Sequence, residues 1–206
     1  MNGINGPILG GLGDVVGSSR NGIFYLKKKY KKRTTKITAK EKGNRSKFAD
    51  AQFWLKPLLS FVKEGFKGYS TTSYGFIAAK SHLLRHAFEG QQPEIRINPA
   101  LVQVSYGSLP LSADINVQLE DVNRLIFSWN PAYLDDAEPE DQVMLLAYDV
   151  ENKSAFYTCT GQFRKTGSDV LEISEEPGKT YQIYFAFTAA DRSSRSHSVY
   201  LGEINV

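Results

Sequence analysis

Tyr181-Gln182-Ile183-Tyr184-Phe185-Ala186-Phe187 and Leu125-Ile126-Phe127-Ser128-Trp129 are the two stretches that decide the fold. Successive side chains of a strand point to opposite faces. Tyr181, Ile183, Phe185 and Phe187 therefore share one face of the first segment. Leu125, Phe127 and Trp129 share one face of the second, with Arg124 and Ser128 on the other. The period of two begins near Ile95, and residues 143–149, 155–163, 170–173 and 197–204 supply further candidate strands. Turns rich in Asp, Glu, Pro and Gly separate them at 135–141, 167–169 and 175–179. Short strands with regularly spaced turns predict an antiparallel β-sandwich over residues 95–206 rather than a parallel sheet with crossover helices.

Upstream the period is helical, so residues 37–94 are expected to form a short helical segment. Thr38-Ala39-Lys40-Glu41 has the spacing of a capping box. Phe48, Ala51, Gln52, Leu55, Leu58, Leu59 and Val62 follow as a mostly apolar face, and Pro57 is expected to kink or restart the helix. A second helix is predicted from about Ser73 to Phe88, stopping at Gly90 before Pro93, with Tyr74, Ile77, Ala78, Leu84, Ala87 and Phe88 against the first. Residues 1–36 read as a glycine-rich β-hairpin arm. Val15, Val16 and Ser18 to Arg20 lead into Asn21-Gly22, and Ile23-Phe24-Tyr25-Leu26 leave it, which is the strongest short-range hairpin signal. The fold class is α+β, mainly β.

Charge divides along the same line. Residues 1–100 carry 18 Lys/Arg against 6 Asp/Glu, whereas residues 101–206 carry 7 against 16. Much of the excess lies in Lys27-Lys28-Lys29-Tyr30-Lys31-Lys32-Arg33, continued by Lys36. Such an asymmetry fits a polyanion partner for one half, or one copy's basic half meeting another copy's acidic half. The single cysteine, Cys159, excludes an intrachain disulfide and thiolate clusters for zinc. The start of the chain lacks the basic region of a classical signal peptide, and no apolar run is long enough to span a membrane. The expected location is the cytoplasm or the inside of a phage particle.

Two resemblances follow from these residues. Leu125 to Trp129, Val143 to Tyr148, and Pro177-Gly178-Lys179-Thr180-Tyr181 make residues 110–206 resemble a fibronectin type III-like sandwich. That resemblance implies a structural role for Tyr181 in pinning a strand corner. Gly6-Pro7-Ile8-Leu9-Gly10-Gly11 with Val15-Val16-Gly17-Ser18-Ser19, Arg45-Ser46-Lys47-Phe48-Ala49, Asp141-Gln142-Val143-Met144-Leu145 and Ser198-Val199-Tyr200-Leu201-Gly202 make the whole chain resemble a domain-of-unknown-function family common in Bacteroidota. The second resemblance implies a glycine-rich hairpin, a helical segment and a C-terminal sandwich from a bacterial or phage source. It brings no activity.

No catalytic, metal or cofactor signature emerges. His82 and His86 stand four apart on a predicted helix, but no third ligand accompanies them, and neither His197 nor Cys159 is linked to them by spacing. Gly11-Leu12-Gly13-Asp14-Val15-Val16-Gly17 lacks the spacing of a dinucleotide loop and no hydrophobic strand precedes it. Ser193 to Ser198 read as a turn into the last strand, and Asp135, Asp136, Glu138, Glu140 and Asp141 as a solvated acidic loop. The leading expectation is a non-enzymatic assembly protein that self-associates or joins other subunits. Its contacts would come from the basic run (Lys27, Lys28, Lys29, Tyr30, Lys31, Lys32, Arg33, Lys36) and from apolar arm residues Ile4, Ile8, Leu9, Leu12, Val15 and Val16. The alternative is sequence-nonspecific nucleic-acid binding through the same lysines.

Overall fold

The computed structural model describes residues 8–20, 22–32, 34–71, 73–91, 94–132 and 136–206. The chain divides into two compact units, Met1–Thr38 and Ala39–Val206. It is mostly β, and the strand pairs are antiparallel throughout the described residues.

The first unit is a three-stranded meander of β1 (Gly10–Leu12), β2 (Val15–Arg20) and β3 (Ile23–Lys28) in that order. Arg20 pairs with Ile23, so two residues make the turn, and Gly22 has φ +78° as the tight hairpin requires. Asn21 lies outside the described residues. A Cβ on Gly17 would stand 1.8 Å from the carbonyl oxygen of Ile8. The chain at Ile8 therefore lies directly on β2, and only glycine permits that approach.

The second unit opens with α1 (Ala39–Leu55), which starts immediately after Thr38. A 3-10 turn, Lys56–Leu58, contains Pro57 and leads into α2 (Leu59–Gly65), because proline has no amide to continue the helical ladder. α3 (Gly75–His86) ends two residues short of the predicted Phe88, which instead begins β4 (Phe88–Glu89), paired with β5 (Arg96–Ile97). Then come β6 (Asn116–Asp121), β7 (Arg124–Ser128), β8 (Gln142–Asp149), β9 (Ser154–Thr158), β10 (Ser168–Glu172), β11 (Thr180–Thr188) and β12 (Val199–Asn205). They form one sheet of order β10-β7-β6 and another of order β12-β11-β8-β9.

Two cores share the four-stranded sheet. On one face Val143, Leu145, Ala147, Ile183, Phe185 and Phe187 meet Leu125, Phe127, Trp129 and Leu171 of the three-stranded sheet. On the other, Met144, Leu146, Tyr148, Tyr184 and Ala186 meet Trp54, Leu55, Leu58, Phe61, Val62 and Leu83 of the helical region. Strands β8 and β11 are thus buried on both faces, which corrects the expectation of a single inward face and explains their nearly unbroken apolar sequences. Each large side chain so buried contributes roughly 1.5–3 kcal/mol. Polar tips are satisfied within this layer: the Tyr148 hydroxyl donates to the Trp54 carbonyl at 3.0 Å and the Tyr184 hydroxyl to that of Pro99 at 2.8 Å. Sequence periodicity misassigned four residues of the helical segment, since Phe48, Leu59, Tyr74 and Ile77 are exposed, Tyr74 by 78% and just ahead of α3.

Candidate functional site

All six residues of β3 are exposed, Ile23 by 71%, and β3 is the end strand of its sheet. Lys27 stands opposite Val16 and Lys28 opposite Val15, so consecutive lysines leave opposite faces. One more rung follows, in which the Lys29 amide donates to the Asp14 carbonyl at 2.7 Å. Beyond it Tyr30 is 85% exposed between lysines, and Lys31, Lys32 and Lys36 are exposed as well. Ile8, Leu9, Leu12 and Val15 are exposed and Val16 is half-buried. Ile8, Phe24, Tyr25 and Leu26 line a hollow of about 280 Å³. Arg33 and Ile4 lie outside the described residues. This small sheet therefore offers cations, apolar side chains and an end strand whose outer backbone groups can pair with another chain.

The other candidates fall elsewhere. His82 and His86 have ring centroids 4.5 Å apart. Contrary to their sequence separation, the fold brings His197 into the same aromatic cluster, because Tyr106 lies 5.4 Å from His82 and 4.2 Å from His197. Burial, and then the neighbouring His86, His197 and Arg85, hold His82 below its ordinary value. The His197 Nδ1–H donates to the Gly107 carbonyl, which fixes its tautomer. Among the described residues no group of three or more His, Cys, Asp or Glu is arranged to hold a metal ion. Cys159 is half-buried, and burial pushes its thiol up to about 11, so it is a protonated, unreactive thiol near neutrality.

Ser196 and Ser198 are buried backbone caps: their hydroxyl oxygens accept the Phe187 amide at 2.8 Å and the Val104 amide at 2.9 Å. The acidic loop before β8 is not wholly solvated. Its Asp135 lies outside the described residues, but Asp141 is buried and pairs with Arg164 Nε at 3.3 Å. Arg164 also donates to the Ser112 hydroxyl at 2.9 Å and the Pro110 carbonyl at 2.8 Å, and lies 3.8 Å over the Phe187 ring. No spacing rule could have found a pair 23 residues apart. No described helix is long and apolar enough to cross a membrane.

Comparison with curated proteins found no match. Residues 8–202, spanning the described arm, helices and sheets, match a family of unknown function, DUF6266, and the chain belongs to that family.

Proposed function

We propose that the protein is a non-enzymatic component of a multi-subunit assembly, in a phage particle or another bacterial assembly of Bacteroidota type, and that its arm makes the contacts between subunits. The observation that carries this reading is the arm itself. It is a compact unit of its own that leaves Ile8, Leu9, Leu12, Ile23, Phe24 and Leu26 exposed beside its lysines. Apolar side chains gathered on an open strand edge gain most by burial against a partner.

Within the unit Ala39–Val206, residues 110–206 are read as a fibronectin type III-like sandwich, against which the helices pack as a further layer. Its support is the strand order, β10-β7-β6 facing β12-β11-β8-β9, and the Pro177-Gly178 turn that leads to the buried Tyr181.

The mass in solution of the full chain and of a chain lacking residues 1–22, each at low and high salt, tests the assembly reading. Multimers that survive salt and vanish on truncation support it, and monomers in every condition refute it. A second reading is favoured by Tyr30, which stands exposed among lysines as a base-stacking side chain would. Nucleic-acid binding through this segment would weaken steeply with salt and disappear when Lys27, Lys28, Lys29, Lys31 and Lys32 are all changed to Ser, while surviving loss of residues 1–22.

A further inference from the structure

An arm needs a receiving surface, and a second arm is a poor one. Residues 1–38 carry 8 Lys/Arg against 1 Asp/Glu, so two arms repel. Four strands end the two larger sheets of the second unit: β6, β9, β10 and β12. β9 and β12 are mostly half-buried and β10 is a residue shorter than β6, with Leu171 buried. In β6 every residue but Val117 is exposed, and it ends in Glu120 and Asp121. The Val117 amide donates to the neighbouring Asn116 Oδ1 at 2.8 Å, a local cap that an incoming carbonyl can replace.

Resting on the assembly reading above, we propose that β6 of one copy receives β3 of a second copy as an added parallel strand. Residues 23–26 then lie along residues 116–119, and Lys27 and Lys28 reach Glu120 and Asp121. The lengths match. Regular pairing of β6 with β7 runs from Asn116 to Leu119 before a bulge between Leu119 and Asp121, and the apolar run of β3 is Ile23-Phe24-Tyr25-Leu26. The direction follows from charge, because the lysines and the acids both stand at the C-terminal ends of their strands. Glu120 is held by an exposed ion pair to Arg124 at 3.0 Å, which costs little to exchange. Leu119 and Val122, both exposed, offer apolar ground for the arm's side chains. Donor and receptor surfaces differ, so the contact is made by exchange of arms and builds reciprocal pairs, rings or open chains of copies.

Sedimentation velocity on full-length chains tests this. Lys27→Glu/Lys28→Glu and Glu120→Lys/Asp121→Lys should each weaken self-association at least about tenfold, since each sets like charges together. Mixing the two variants should restore it, because the acidic arm of one then meets the basic edge of the other. If Glu120→Lys/Asp121→Lys associates like the unaltered chain, or mixing restores nothing, β6 is not the receptor. The assembly reading survives that result if truncation of residues 1–22 still abolishes multimers. In a Cys159→Ser background, a Lys28→Cys copy should form a disulfide with an Asp121→Cys copy. Bonding to an Asn116→Cys copy instead would overturn the parallel register.

Discussion

Arg164→Met is the most informative single change in the second unit. Methionine keeps an apolar stem against Phe187 but deletes three donors, to Asp141, Ser112 and the Pro110 carbonyl. Asp141, whose side chain is 1% exposed, then remains a buried carboxylate without its cation. It still accepts the Glu138 amide at 3.0 Å and the Ala190 amide at 3.3 Å, so it cannot turn to water freely. Removing one partner of such a pair costs about 3–5 kcal/mol. In a domain of this size that lowers Tm by roughly 6–20 °C. Urea unfolding followed by tryptophan fluorescence measures it conveniently, because the Trp129 indole N–H donates to the Arg164 carbonyl at 2.7 Å and reports on the same corner. The double variant Arg164→Met/Asp141→Asn should lose less than the sum of the two single losses, with a coupling of about 1–3 kcal/mol. A loss below about 1 kcal/mol for Arg164→Met, or strict additivity, would show that the pair is not the latch that its burial indicates.

Three other outcomes are expected. His82 is held below its ordinary value of 6.5, so the unfolded chain takes up its proton first. Stability is therefore kept above about pH 6.5 and lost as pH falls from there through the lowered folded value, and His82→Phe should flatten that slope by at most about 1.4 kcal/mol per pH unit in pH-dependent urea titrations. Gly107→Ala places a Cβ 2.1 Å from the Arg195 carbonyl oxygen and should cost about 1–3 kcal/mol, whereas Gly11→Ala, with nothing within 4 Å, should change thermal stability little. Cys159, with its thiol near 11, should resist alkylation by iodoacetamide at neutral pH in the folded protein and react at an ordinary rate in urea; equal rates would refute its burial.

Local signals in the chain were legible where one element suffices to explain them. The Asn21-Gly22 turn, the break at Pro57 and the strands around Phe127 and Phe185 follow from φ preferences and side-chain period. What periodicity could not convey is which elements share a surface. Tyr184 and Phe185 are adjacent in sequence yet belong to different cores, because the helical layer covers the far side of the sheet. The same cause hid the exposure of Tyr74 and Ile77, whose spacing suits a buried face that the fold does not provide. β6 escaped notice because Asn116-Val117-Gln118-Leu119-Glu120-Asp121 is too polar to read as a core strand, as an end strand can be. Among candidate contact residues, the exposure of Lys27 and Lys28 follows from alternation, since a strand turns consecutive lysines to opposite faces, whereas Lys31 and Lys32 lie beyond the end of β3. The meeting of His82 with His197, and of Arg164 with Asp141, depends on tertiary folding and leaves no spacing to read.

The doubly covered sheet has a consequence for synthesis. Leu83 of α3 and Tyr184 of β11 belong to one core but leave the ribosome about 100 residues apart, an interval of roughly 5–20 s at ordinary elongation rates. Until β8 emerges the helices present Leu55, Leu58, Phe61 and Val62 without any of the wall that will cover them, and until β11 follows they have only the β8 half of it. The nascent chain is thus at its most adhesive before its last strands emerge, and changes that slow translation between α3 and β11 should lower the soluble yield without altering the finished protein's stability.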